Sequence, residues 1–217
     1  MDFLIGKLLI LPGVLIGLAL HEFSHALAAD KLGDPTPRMQ GRLTIEPWPH
    51  LDLVGFIAIM LIGFGWAKPV QIDSRYFKKP KRDDIIVSLA GPIANLLLAI
   101  IFGGIVYVLA YFNVLQGVNG AAQGFFWVLL YYVIWINIIL FIFNLFPIPP
   151  LDGSHILTNL LPIKQAEKFA AFGSYSMIIL LILMFTGIFS FLLEPPAKLV
   201  YSIILGMFGL PDALHII

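Results

Sequence analysis

The sequence predicts an all-α polytopic membrane protein of about five or six membrane helices, and three observations carry that prediction. Apolar residues make up 59% of the 217 and charged residues 12%, about half the charge of a soluble domain. Mean hydropathy is +0.94. The apolar residues also fall in blocks too long for buried strands or core helices, and about twenty such residues cross a bilayer as one helix. The length allows one compact unit. We expect a single membrane-embedded domain over 1–217, with its core within about residues 3–160 and further membrane helices at about 173–211.

The first apolar run starts at Phe3 and continues to about Ala29 without a small-residue cleavage signature. It reads as a retained span rather than a removed signal peptide. Asp30, Gly33, Pro35 and Pro37 end it. Residues 36–46 are polar and broken by proline, and Arg42–Glu46 is expected to form a short strand or hairpin near the entrance of a site. Leu51–Trp66 is apolar but short and carries Gly55, Gly63 and Gly65. A re-entrant segment suits it, the alternative being a short crossing helix. The most basic loop, Lys68–Asp84, follows, and then two long apolar runs, Ile85–Phe112 and Phe125–Phe146. Residues 147–174 read as an amphipathic connection, Tyr175–Leu193 as a span and Ala197–Leu210 as a shorter final one.

Lys and Arg gather in the loops 31–42, 68–82 and 164–168, while 113–124 carries no charge. Cationic loops stay in the cytoplasm, so the basic loops are expected there. If Leu51–Trp66 crossed the membrane, the first two basic loops would face opposite sides, which favours re-entry. Formal net charge is zero, and no nucleic-acid partner is expected. There is no cysteine, so disulfides, cysteine zinc sites and iron–sulfur clusters are excluded.

Chemistry concentrates in His21-Glu22-Phe23-Ser24-His25, an HExxH motif on a segment of unbroken helical character. Residues four apart share a helix face, so both imidazoles reach one metal ion. Glu22, about 100° round the helix, projects beside the metal and is placed to take a proton from bound water. Zinc lowers the pKa of that water to about 7. Ionisable groups inside an apolar span are costly and mark function. A catalytic zinc needs a third protein ligand with one position left open. The candidates are His50, His155, His215 or a carboxylate, and Asp152 is the best of them. It follows the Phe125–Phe146 span, returns to the depth of the histidines, and sits between Pro147–Pro150 and Gly153. Its ordinary alternative is an N-cap for the helix that follows.

Together these motifs make the chain resemble the site-2 protease family of intramembrane zinc metalloproteases, in its compact subgroup without PDZ or CBS domains. The family pairs HExxH with an NxxPxxxxDG signature, present here as Asn144, Pro147, Asp152 and Gly153. The resemblance implies one zinc ion held by His21, His25 and Asp152, with Glu22 as catalytic base and Asn144 positioning substrate or the oxyanion. Ser88–Asn95 resembles the family's AGPxxN element, and the region at 65–72 its preceding loop. Asn95 has two readings, a hydrogen bond across helices or a contact to the substrate backbone. His155 is a helix-packing or outer-sphere residue, His50 an interfacial one, and His215 lies in the tail. Trp66, Trp127 and Trp135 read as interface anchors or packing residues.

The activity so implied is an endopeptidase acting on transmembrane or membrane-associated proteins in a prokaryotic cell membrane, with its site towards the cytoplasm. A substrate helix has its carbonyls bonded internally, so it must unwind before attack. Its unwound end is expected against Arg42–Glu46 or Leu51–Trp66. The rival reading is a membrane metalloprotein without proteolysis, a helix-binding scaffold or a metal transporter. The intact Glu22 and a single three-ligand site argue against both. Substrate identity and oligomeric state are not written in the sequence.

Overall fold

A computed structural model describes residues 2–62, 65–115 and 118–210. Among these the chain is helical throughout: α1 (Asp2–Leu32), α2 (Thr36–Met39), α3 (Leu53–Ile62), α4 (Pro80–Tyr111), α5 (Gly120–Asn144), α6 (Asp152–Leu160), α7 (Ile163–Phe185) and α8 (Ile188–Met207). Four are long and apolar enough to cross a membrane: Leu8–Leu32 of α1, then α4, α5 and α8. The 25 residues of Leu8–Leu32 rise about 37 Å, against a hydrocarbon core of about 30 Å. Helix α7 passes the same test only as a bent pair, Ile163–Gly173 and Tyr175–Phe185, turned by 62°.

The centre is a three-helix cluster in which α1, α4 and α5 pack on one another, with α6 against α4 and α8 against α5. Without a hydrophobic driving force between helices in lipid, close backbone approach supplies the contact. Helix α1 provides it with Gly13 and Gly17, one turn apart. A Cβ on Gly13 would lie 3.0 Å from Val133 Cα, and one on Gly17 2.7 Å from Asn137 Oδ1. Facing α4, α1 presents the fully buried Ala29, which clusters with Val87.

Three expectations are corrected. The strand at Arg42–Glu46 does not form, and no strand exists among the described residues beyond one bridge, Leu51 to Ala67. The backbone groups there are used locally. Arg42 N–H reaches Pro37 O at 2.8 Å, closing the turn after α2, Thr44 O accepts from His50 Nε2 at 2.8 Å, and Pro47 and Pro49 have no N–H to give a ladder. Helix α1 runs to Leu32 rather than Ala29, because Gly33 at φ +111° takes the terminating turn. The last two helices divide at Gly187 (φ +75°) instead of at Pro195–Pro196, which lie inside α8. An i,i+4 ion pair, Lys198 Nζ to Glu194 at 2.7 Å, straddles those prolines.

Between Leu51 and Trp66 the described residues form one short helix. Helix α3 has ten residues, about 15 Å of rise, half of what a crossing needs. Asp52 Oδ1 accepts from Gly55 N at 2.8 Å and starts it. Its two ends are tied together by the Leu51–Ala67 bridge and by Lys68 N–H to His50 O at 2.8 Å. Gly63 lies outside the described residues. The chain before and after α3 is stitched further: Gln40 Nε2 donates to Gln71 Oε1 at 2.9 Å, and Asp73 N–H to the buried Asp34 Oδ2 at 2.7 Å. Both basic loops therefore sit at one end of the bundle. In this cysteine-free chain, Gln40→Cys and Gln71→Cys should label with an impermeant thiol reagent from the same side of a vesicle. Labelling from opposite sides would mean that α3 crosses.

Candidate metal centre

His21 and His25 stand one turn apart on the buried face of α1, and both are more than nine-tenths buried. His25 is about two turns, roughly 10 Å, from the end of the helix. Each imidazole is oriented through its Nδ1. His25 Nδ1 donates to Val87 O of α4 at 2.7 Å, and His21 Nδ1 donates to Asn95 Oδ1, also 2.7 Å. With Nδ1 carrying the hydrogen, a neutral ring presents Nε2 as a lone pair. The two Nε2 atoms face each other at 3.0 Å.

The third group arrives from α6. Helix α5 ends at Asn144, the turn through 145–151 reverses the chain, and Asp152 opens α6 with Leu151 as the cap residue. Asp152 is thus not the N-cap. Gly153 is required by crowding: a Cβ there would sit 2.5 Å from the Leu145 carbonyl carbon and 2.6 Å from Phe146 O. Asp152 Oδ2 is buried without a hydrogen-bond partner, yet lies 3.2 Å from His21 Nε2 and 3.4 Å from His25 Nε2.

Three atoms able to ligate a metal, two imidazole nitrogens and a carboxylate oxygen, thus converge. Tetrahedral zinc with ligands about 2.0–2.1 Å away separates donor atoms by about 3.3 Å, matching the observed 3.0, 3.2 and 3.4 Å. The donor set, two neutral imidazoles and one carboxylate, is that of a catalytic zinc with an open position. These three residues form the group among the described residues that could hold a metal ion.

Glu22 is buried beside the pair, and its Oε2 accepts from Val70 N–H at 2.8 Å. Val70 belongs to the strap after α3, which Arg42 also holds through a guanidinium hydrogen bond to Lys68 O. A cavity of about 920 Å³ opens here, lined by His21, Glu22, His25, Asp152, Asn144 and the strap residues Trp66, Pro69 and Val70 among others. Asn144 faces the cavity with Nδ2 bonded to Leu140 O at 3.0 Å. Asn95 is fully buried, its amide shared among His21, Gly17 and Asn137. His155 lines the cavity too, 3.7 Å from Asp84, whose carboxylate raises its pKa. His50 is not interfacial but fully buried under the strap, and burial lowers its pKa. His215 lies outside the described residues. Trp66 remains half-exposed, and Trp127 and Trp135 pack on the α4–α5–α8 core.

Asn137 escapes a reading by motif, and a lone amide in an apolar run is its only signal. Gly91 lies within the AGPxxN element, and the structure gives it a reason: a Cβ there would fall 2.6 Å from His21 Cε1 and also on His25 Nε2, so only glycine lets α4 lie flat under both rings. Gly91→Ala should therefore cost about tenfold or more in bound metal, read by metal analysis of the purified protein. Full occupancy would show that the rings have other room.

Residues 9–126 and 110–186 match the family model "Peptidase family M50". The chain is 40% identical over 200 residues to "Putative zinc metalloprotease YwhC" of Bacillus subtilis, covering 90% of this chain and 89% of that protein. It is 32% identical over 186 residues to "Putative zinc metalloprotease Rip2" of Mycolicibacterium smegmatis, covering 82% and 67%. Rip2 of Mycobacterium tuberculosis H37Rv is 31% identical over 182 residues, covering 81% and 66%. No solved structure matches. Apolar helices, a donor set suited to zinc and these likenesses agree, and the chain belongs to peptidase family M50, the site-2 protease family of membrane zinc metalloproteases.

Proposed function

We propose that the protein is an intramembrane endopeptidase in which His21, His25 and Asp152 hold one zinc ion per chain and Glu22 is the general base. The observation that carries this is the convergence of two imidazole nitrogens and a carboxylate oxygen within 3.4 Å of one another beside the buried Glu22. Bound there, zinc would polarise the scissile carbonyl and bring the pKa of water near 7. Glu22 is held by one oxygen on Val70 N–H, which leaves Oε1 to accept the water proton and pass it to the leaving amine. Asn144, at the cavity wall, positions the substrate backbone or the developing oxyanion. Asn95 is assigned to His21 rather than to substrate, because its amide is buried and fully used.

The substrates are transmembrane or membrane-associated proteins, whose helices must open locally to expose a carbonyl. The whole chain acts as one membrane domain, and the basic loops at one end of the bundle support a site facing the cytoplasm of a prokaryotic cell. Glu22→Gln should retain zinc and lose about 10²–10⁴-fold in cleavage of a single-pass substrate in vesicles. Asp152→Asn should lose both zinc and cleavage. Undiminished cleavage by Glu22→Gln would sink the assignment of the base.

A further inference from the structure

The hydrogen bonds behind His21 run on through two more residues and end on the backbone of two helices. Asn137 of α5 has no exposed area. Its Nδ2 donates to Val133 O at 2.8 Å and reaches Gly13 O of α1 at 3.4 Å. Its Oδ1 accepts from Asn95 Nδ2 of α4 at 3.0 Å, and the same Asn95 nitrogen donates to Gly17 O of α1 at 3.0 Å. Asn95 Oδ1 then accepts from His21 Nδ1.

Every link in this chain has a fixed polarity. Carbonyls can only accept, so Val133 and Gly13 turn the Asn137 amide with its nitrogen towards them and its oxygen towards Asn95. That oxygen, with Gly17 O, demands the nitrogen of Asn95. The oxygen of Asn95 is what remains for His21, and it demands a hydrogen on Nδ1. Nε2 is then the lone pair that faces His25 and Asp152. If the Asn95 amide turned over, its oxygen would meet Asn137 Oδ1 and Gly17 O, and its nitrogen would favour the His21 tautomer that cannot bind metal through Nε2. Asn137 is the side chain that penalises that flip. Gly17 makes room for it, since a Cβ there would lie 2.7 Å from Asn137 Oδ1.

We propose that Asn137, acting through Asn95, is a positioning residue that fixes the metal-binding tautomer of His21. The proposal rests on the zinc reading above and adds a residue outside the ligand set. Outer groups that orient a ligating histidine typically contribute 10–100-fold in metal affinity.

The test uses the purified full-length protein in detergent and measures zinc affinity by chelator competition, with thermal unfolding of the metal-free protein alongside. Asn137→Leu should weaken zinc binding about 10–100-fold. Asn95→Asp presents an oxygen to His21 whichever way the group turns. In that background Asn137→Leu should change zinc affinity by no more than about threefold, a departure from additivity that marks coupling. The Co²⁺-loaded parent and Asn137→Leu should also differ in their visible ligand-field bands. A purely structural role for Asn137 would instead weaken zinc equally in both backgrounds, and that result overturns the relay, as does unchanged affinity in Asn137→Leu. If Asn137→Leu does not fold, Asn137→Ala is read in the same two backgrounds. Zinc affinity of the unsubstituted protein is measured first: no binding there would remove the zinc reading itself, a failure distinct from that of the relay.

Discussion

The rest of the structure depends on a lone-pair problem: two imidazole nitrogens and a carboxylate oxygen meet at 3.0–3.4 Å inside a bundle of apolar helices. Mutually repelling acceptors do not stay together in a low-dielectric interior unless a cation joins them. Each group is therefore restrained from behind. Val87 O holds His25, Asn95 holds His21, and the turn before α6 sets Asp152. The three restraints come from α4 and the α5–α6 connection, so the site exists only when α1, α4 and α5 are packed. Glycines at 13, 17 and 91 are what allow them to pack that closely.

The strap between α3 and α4 solves a second problem, that of a carboxylate needing one oriented donor. Val70 N–H meets Glu22, and the strap is fixed in turn by His50 O on Lys68 N–H, by Arg42 on Lys68 O and by Asp34 on Asp73 N–H. Arg42, His50 and Asp34 are all buried, which is unusual for such residues and follows from their holding main chain that has no strand partner. The shortness of α3 is part of the same device, since the bridge from Leu51 to Ala67 ties its two ends together and brings the chain back to the site.

Much of this is readable from residue spacing. HEFSH specifies a shared helix face, and cost in an apolar span makes its function plain. Asp152 is readable because topology brings the end of α5 back to that depth. The shortness of the helix between Leu51 and Trp66 is readable from the length of its apolar run and its glycines. What is not readable has a physical reason in each case. Pro195–Pro196 looks like a break, yet α8 continues through them and the chain turns at Gly187, whose left-handed backbone is decided by packing. Arg42–Glu46 has strand-like residues but no edge to pair with, so its carbonyls serve the turn after α2 and His50. Asn137 carries no motif at all, and its meaning lies in which atoms it meets across two helices.

The choice of amides behind His21 follows from charge. A carboxylate is a common partner for a ligating histidine, but here it would be one anion too many. Two neutral imidazoles, the Asp152 and Glu22 carboxylates and a divalent ion sum to zero, and a net charge in this environment is expensive. Asn95 and Asn137 give the direction that a carboxylate would give while adding no charge. They carry it by hydrogen-bond polarity, anchored on the carbonyls of Val133, Gly13 and Gly17. A neutral relay of this kind works only if no water enters to offer an alternative partner, and both amides are fully buried. The cavity where Glu22 and Asn144 stand is lined by His21 but not by Asn95 or Asn137, so the relay lies behind the ring and away from that opening.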